Sequence, residues 1–453
     1  MRTALLSVLL SAGIVVAQPC TPAWDGTPGQ PGIAGGYAQP LALWNEGAGD
    51  RLFVGGSFTS AGGQGIGYLA RYDVATGAWS RVGGGINQGS TNAFLTSIVV
   101  FRPPQPGAAE ELVVGGHFDN AANAPASRAL ARWNGTRWTN LGAAIVSPNA
   151  IWSMLVRHEP GGQRLFVGGQ FPAIGGVTGV GVASWDGEAW ATHATSITGF
   201  SPGVFKILDH DDGSGVKLYA SGRYGTLDAA GPLVARWDGA SWSNVGAGLS
   251  VSSSTTTVNA MAVHDDGTGP ALYVGGSPFF INGVGQASVA RWNGSAWSPV
   301  GQVLTGAVWA LVSFNDGSGP ALYLGGTAQP GSGYVSKLVG NTWTPLAGGA
   351  SNSVFGAAAL GGDLWVAGNF TTVGGSIGAS GLARFRGCGV CPGQGPGACG
   401  PADWNEDGTI DFNDLLAFMN DFNAGEPCAD VNADGAVDFN DFLAFLNLFI
   451  QGC

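Results

Sequence analysis

The chain has 453 residues, 79 of them glycine, and a formal net charge of −12; patterned apolar runs lie between the glycines, so it is turn-rich and folded, not disordered. The charge is uneven: Asp403 to Cys453 carries eleven Asp and Glu and no Lys or Arg, leaving nineteen acids against eighteen bases elsewhere. Most of the chain is therefore almost neutral, which excludes the basic stripe of a nucleic-acid binder and the charge runs that hold a protein to a membrane surface.

Met1 to Ala17 has one Arg, an apolar run from Ala4 to Val16, and Val15-Val16-Ala17 as a small-residue cleavage site. That pattern predicts a secretory signal peptide over residues 1–17 and a secreted or cell-surface protein beginning at Gln18. The six Cys then belong to an oxidising compartment. No later apolar run reaches the roughly eighteen residues a membrane helix needs.

One unit recurs through residues 18–389. Its second strand reads Leu52-Phe53-Val54-Gly55-Gly56, Leu112-Val113-Val114-Gly115-Gly116, Leu165-Phe166-Val167-Gly168-Gly169, Leu218-Tyr219-Ala220-Ser221-Gly222, Leu272-Tyr273-Val274-Gly275-Gly276, Leu322-Tyr323-Leu324-Gly325-Gly326 and Leu364-Trp365-Val366-Ala367-Gly368. The clearest copy adds a first strand at Val258 to Val263, a second that stops at Gly275-Gly276, a third at Ser288 to Trp292, a type I′ turn at Asn293-Gly294, and a fourth from Trp297 to Val300. A four-stranded sheet cannot bury both faces alone, so the seven copies are expected to pack radially. The fold class predicted is all-β: a seven-bladed propeller of four-stranded antiparallel blades, followed by a small α-helical calcium module. Pro40 to Trp44, Ser153 to Val156, Ala260 to Val263 and Ala310 to Ser313 are expected to face the central channel.

Trp79, Trp138, Trp190, Trp242, Trp297 and Trp343 recur on the fourth strands, and Tyr72, Trp133, Trp185, Trp237, Trp292 and Phe385 on the third. Recurrence at one structural position points to packing between blades, not to a sugar-stacking platform. The acidic turns Asp209 to Asp212, His264 to Asp266 and Asn315-Asp316 are expected on one rim with the Asn-Gly turns, as solvated hairpin turns. The opposite loops, Ser57 to Gly67, Phe171 to Gly181 and Ser277 to Gln286, are rich in small residues. The five His fall at no metal-ligand spacing, and no convergent acid pair or Cys nucleophile stands in the propeller. No catalytic residue is assigned. The expectation is a non-catalytic, monomeric protein with a glycan or a protein as propeller ligand; the alternative is a carbohydrate-active enzyme or an accessory protein of extracellular polysaccharide degradation.

The last copy has three strands, Val354 to Ala359, Leu364 to Gly368 and Gly381 to Arg386, and then meets Cys388. Pro22-Ala23-Trp24-Asp25 precedes the first copy without a blade of its own, so it is expected to complete the last one. That places Cys20 beside Cys388 as a disulfide closing the ring.

The Gly pair, Tyr72-Asp73 and spaced Trp79 resemble the kelch repeat. The Ala-Arg-Trp-Asn/Asp-Gly units at Ala131 to Gly135 and Ala235 to Gly239 are similar to propeller repeats of fungal cortical polarity-marker proteins. The resemblance implies the fold and is almost silent on function.

Residues 390–400 are a linker of Gly, Pro and Cys, and residues 401–453 carry two copies of a twelve-residue loop. The first is Asp403-Trp404-Asn405-Glu406-Asp407-Gly408-Thr409-Ile410-Asp411-Phe412-Asn413-Asp414; the second runs from Asp430 to Asp441. Oxygen ligands at positions one, three, five and twelve, with Gly at six for the sharp turn, suit a calcium shell. Two such loops in tandem, each followed by an apolar helix, Asn413 to Phe422 and Asn440 to Ile450, resemble the type I dockerin module, with Phe412-Asn413 and Phe439-Asn440 in place of its usual Ser-Thr pairs. The resemblance implies two calcium ions. One is held by Asp403, Asn405, Asp407, the Thr409 carbonyl, Asp411 and Asp414, the other by Asp430, Asn432, Asp434, the Ala436 carbonyl, Asp438 and Asp441. It also implies a cohesin-like or cell-surface partner. Its twofold symmetry suggests Cys399 with Cys453, leaving Cys391 with Cys428 among the fifteen pairings that six Cys allow. Most of the apolar helix surface is expected to pack internally.

Overall fold

A computed structural model describes residues 22–47, 49–86, 93–142, 150–246, 248–281, 283, 285–327, 333–387, 402–404, 410–424, 429, 431 and 437–451. The chain divides into a compact unit at Ala23–Gly387 and a second one holding the C-terminal segment.

The first unit is a propeller of seven antiparallel blades. The innermost strands are Ala38–Asn45, Phe94–Phe101, Ala150–Glu159, Gly203–Asp211, Val258–Asp265, Val308–Asn315 and Val354–Leu360. Each lies beside the next around the axis, and the seventh lies beside the first. In blades 1 to 6 the strands pair in chain order, and blade 5 gains an extra strand, Leu249–Ser250, against the long Pro270–Ile281.

The core is not one mass. A separate apolar layer fills each interface between neighbouring blades, for example Ile151, Val167 and Trp190 with Val113 and Leu130 between blades 2 and 3. The innermost runs follow from this: Ala42 and Trp44 join the layer toward blade 2, while Leu41 and Leu43 pack toward blade 7. Alternation therefore sends these side chains to the two neighbouring blades, and only part of each predicted run is left for the channel.

The Gly pairs belong to the second strands: Asp50–Gly56 and Pro320–Gly326 end on the second glycine, whereas Pro270–Ile281 runs on past Gly276. A Cβ on Gly168 would stand 2.9 Å from Val204 of the next blade, and one on Gly275 2.8 Å from Val308. The second glycine faces its own first strand: a Cβ on Gly116 would lie 2.2 Å from the Phe94 carbonyl and one on Gly276 1.9 Å from that of Thr257. That crowding coincides with a register shift in every first strand, between Leu95 and Ser97 or Val258 and Ala260 for instance. Such a shift is a β-bulge, which bends the strand toward its partner.

The Asn-Gly turn also differs from expectation. Trp292 pairs with Trp297, so four residues span the connection, and positive φ occurs at Gly294 and not at Asn293. A type I′ turn needs two residues with positive φ; here the Asn293 carboxamide oxygen caps the N–H groups of Ser295 and Ala296 instead. The acidic and Asn-Gly turns do share a rim: Gly294 of blade 5 abuts the Asp212 carbonyl of blade 4.

The fourth-strand tryptophans bind the blades in series. Indole N–H groups donate to a carbonyl of the preceding blade from Trp138 to Val82 (3.4 Å), Trp190 to Leu141 (2.6 Å), Trp242 to His193 (2.7 Å), Trp297 to Val245 (2.7 Å) and Trp343 to Val300 (3.3 Å). Trp24 completes the series on Leu346 at 3.1 Å, because Ala23–Asp25 is the outer strand of blade 7, with Ala23 opposite Arg386, Trp24 opposite Phe385 and Asp25 opposite Arg384. The expected closure by strand pairing is present. Cys20, Cys388, Cys391, Cys399, Cys428 and Cys453 lie outside the described residues.

In the second unit, helix α1 spans Phe412–Ala424 and α2 Phe439–Gln451. Phe418 and Phe445 occupy equivalent places in the two copies and stack at 4.0 Å, 3° from parallel. Trp404 meets both edge-on, and Ala402 and Ala429 complete the buried centre. Internal packing thus takes one stripe of each helix. Phe412 and Phe439, each 65% exposed, and Leu416, Leu443 and Ile450 remain at the surface.

Candidate functional site

The tail loops are built from the helix starts backward. Asp411 Oδ1 accepts the Asn413 N–H at 2.7 Å while Asp414 Oδ2 accepts the Asp411 N–H at 2.7 Å; Asp438, Asn440 and Asp441 repeat this at 2.8 and 2.8 Å. These are reciprocal capping boxes, each satisfying two N–H groups that a helix start leaves open. Asp-Phe-Asn-Asp preceding an apolar run carries that capping signal in the sequence, alongside the loop signal. Asp403, Asp414 and Asp441 are fully buried. The described members of the donor set, Asp403, Asp411, Asp414, Asp438 and Asp441, offer hard carboxylate oxygens, the ligand type calcium takes. Asn405, Asp407, Thr409, Asp430, Asn432, Asp434 and Ala436 lie outside the described residues. Among the described residues no cluster of three or more His, Cys, Asp or Glu stands ready to hold a metal.

On the propeller, the acidic rim turns are structural. Asp212 accepts hydrogen bonds from the Tyr219 hydroxyl (2.9 Å) and Arg236 (2.5 Å); Asp266 accepts one from Tyr273 (3.1 Å) and pairs with Arg291 (3.1 Å); Asp316 pairs with Lys337 (2.6 Å). Burial opposes ionisation of Asp212, but bonds from Ser214, Tyr219 and Arg236 outweigh it and hold the carboxyl far below the usual range. Burial and the neighbouring Asp266 push the Tyr273 phenol up to about 12. The Asp212 and Asp266 turns are thus closed acid, hydroxyl and cation sets that tie the third strand to the rim, and in the Asp316 turn Ser318 supplies the hydroxyl. An open cleft of about 270 Å³ between blades 2 and 3 is lined by Pro104, Glu159, Gln163, Arg164, Asp186 and Glu188 among others; Arg164 already pairs with Glu159 at 2.9 Å.

The first-strand bulges place a set of aromatic residues that the repeat pattern of the sequence does not single out. Trp152, Phe205, Trp309 and Phe355 each occupy the shifted position of their strand and remain partly exposed. Trp152 and Phe205 have ring centroids 5.2 Å apart, Trp309 and Phe355 5.9 Å; Phe94 joins Trp152 at 5.6 Å and Tyr37 joins Phe355 at 5.0 Å. Aligning the first strands of the copies finds them, since Thr96 and Asn259 stand at the same place in blades 2 and 5.

No family model matches the chain, and no curated protein matches it. Among solved structures it is similar to the extracellular domain of a B. thetaiotaomicron protein assigned as a hybrid two component system, at 12% identity and a TM-score of 0.49 over 82% of this chain and 40% of that one. It is also similar to the computationally designed Ika8 protein, at 11% identity and a TM-score of 0.43 over 78% of this chain and 97% of that one. The chain thus spans about two fifths of the length of the first of these. Among the described residues no helix is long and apolar enough to cross a membrane.

Proposed function

We propose that this is an exported, non-catalytic binding or scaffold protein, kelch-like in its propeller, whose dockerin-like tail is a calcium-dependent attachment module. The observation that carries the reading is the burial of Asp403, Asp414 and Asp441 in a duplicated loop motif whose segment contains no Lys or Arg. Burying carboxylates is costly unless charge and hydrogen bonds compensate. Two calcium ions, one per loop, supply the charge: Asp403, Asp411 and Asp414 contribute to one shell, and Asp438 and Asp441 to the other. Folding and metal uptake are then coupled. The equivalent exposed pairs Phe412 with Phe439 and Leu416 with Leu443 give the assembled module an apolar face suited to a cohesin-like or cell-surface protein.

The propeller supplies the second interaction surface. Its acids and bases are engaged pairwise at the rim, and in the cleft between blades 2 and 3 Glu159 and Asp186 both pair with Arg164, which favours binding over catalysis. A polysaccharide-retention screen of the full chain, with calcium and with EDTA, tests this: retention without release of reducing sugar supports the reading, and release of reducing sugar from any polysaccharide overturns its non-catalytic part.

A further inference from the structure

The bulge in each first strand turns one residue out of the ladder at the end where that strand begins. In blades 2 to 7 these residues are Thr96, Trp152, Phe205, Asn259, Trp309 and Phe355; in blade 1 the shift takes two residues, Gln39 and Pro40. They connect in two arcs, one over blades 2 to 4 and one over blades 5 to 7 and on to blade 1. Thr96 donates to the Ile151 carbonyl of blade 3, Trp152 packs on Phe205, Asn259 donates to the Val308 carbonyl of blade 6 at 3.2 Å, and Trp309 packs on Phe355, which meets Tyr37. Bulges commonly re-aim side chains next to functional sites. Here they assemble a collar of partly exposed aromatic rings at the inner edge of the face that carries the longer loops.

The next residue along each strand is Ser97, Ser153, Lys206, Ala260, Ala310 or Gly356 in blades 2 to 7, and Pro40 follows Gln39 at the equivalent place within the blade 1 shift. This position reaches toward the following blade: Ser97 Oγ accepts the Met154 N–H at 3.0 Å, and Ser153 Oγ accepts the Ile207 N–H at 3.2 Å. Six of the seven are small or uncharged, and one is a lysine. The Lys206 ammonium makes no hydrogen bond or ion pair with another described residue; Asp209, on the same strand, is held by Arg157. Burial depresses the Lys206 pKa, and no acid counters it. Lys206 is half-buried, and an ammonium in such surroundings with no acid beside it favours an anion that reaches it.

We propose that this end of the axis binds an acidic sugar residue, the aromatic collar packing against the ring and the Lys206 ammonium pairing with its carboxylate or sulfate. The inference deepens, and rests on, the reading of the propeller as a binding surface. Aromatic side chains combine a large apolar face with low conformational cost, and one well-placed charge fixes orientation in a mostly apolar site. Lys206, with the Arg223 guanidinium over the Phe205 ring at 5.8 Å, selects an anionic ligand over a neutral one; the collar supplies contact area common to both.

The test is calorimetric binding of an oligogalacturonate, a sulfated galactan oligosaccharide and neutral galactotriose to the full chain. At least one anionic probe should bind about tenfold or more tightly than galactotriose, the usual scale of a hydrogen bond to a charged group; which one distinguishes carboxylate from sulfate. Lys206→Met should abolish the preference and Lys206→Arg should retain it. Trp309→Leu should weaken every probe that binds and leave the preference intact. The proposal is overturned if neither anionic probe binds the unmodified chain, or if folded Lys206→Met binds it as tightly as before. Calcium uptake by the tail in the same samples separates the two readings: its persistence alongside absent sugar binding removes this site alone.

Discussion

Replacing Trp24 by Ala perturbs the point where the two ends of the propeller meet. Trp24 is 8% exposed, packs edge-on against Phe385 at 5.1 Å and donates its indole N–H to Leu346 at 3.1 Å. Removing a large aromatic from a packed site costs about 3–5 kcal/mol, of which the lost hydrogen bond accounts for roughly 1 kcal/mol. Trp190→Ala in blade 3 removes the equivalent side chain from a strand held by its own hairpin, and its cost should fall in the same range. The two variants should differ in the fate of the strand itself: the closing strand is three residues long, and without its anchor it should leave the edge of blade 7. Urea unfolding monitored by circular dichroism measures the stability loss, and limited proteolysis ahead of residue 33 measures the release of the strand. A stability loss below about 1 kcal/mol for Trp24→Ala, or equal protease resistance in the two variants, would refute the view that this strand closes the ring.

Other expectations rest on single residues. Burial opposes ionisation of Asp25, yet hydrogen bonds from Thr27 and Arg384 bring its carboxyl to about 2; Asp316, also opposed by burial, reaches about 2 through Lys337 and Ser318. Because the folded values lie below the unfolded one, their stabilisation is present above about pH 4 and lost as the pH falls toward about 2, amounting after solvent screening to about 1 kcal/mol each; Asp25→Asn should flatten acid unfolding in that window. Gly275→Ala forces a Cβ to within 2.8 Å of Val308 and should cost about 1–3 kcal/mol, visible as a lower melting temperature, with no loss if the blades can part. Absorbance titration should show Tyr273 ionising near 12 and, in Asp266→Ala, ionising lower but still above the ordinary value because burial remains. Asp403→Ala or Asp430→Ala should each remove about one calcium per chain and loosen the helix after the loop, read by metal analysis and helical circular dichroism.

The propeller was legible because its repeat is enforced by backbone crowding: only glycine or a very small residue fits where Gly168, Ser221 or Ala367 meets the next blade, so the mark survives in every copy. Trp24 was legible as a missing strand by counting. The bulge was not, because it is an event of register, not of residue type, and Thr96, Trp152, Asn259 and Phe355 share no chemistry by which a reader would align them. Asn293-Gly294 misled for a related reason: the dipeptide suits several connections, and the four-residue gap between the paired Trp292 and Trp297 was the better clue. In the tail, Asp411 and Asp414 read as calcium ligands and also serve as helix caps. The hydrogen bonds place both as caps, and the same spacing suits either role, so spacing alone could not separate them.

Calorimetric titration of the metal-freed full chain with calcium tests the central claim most directly. The account predicts uptake of two ions per chain with a gain in helical signal from the two tail helices, and loss of one ion in Asp403→Ala. A titration with no calcium uptake would contradict it.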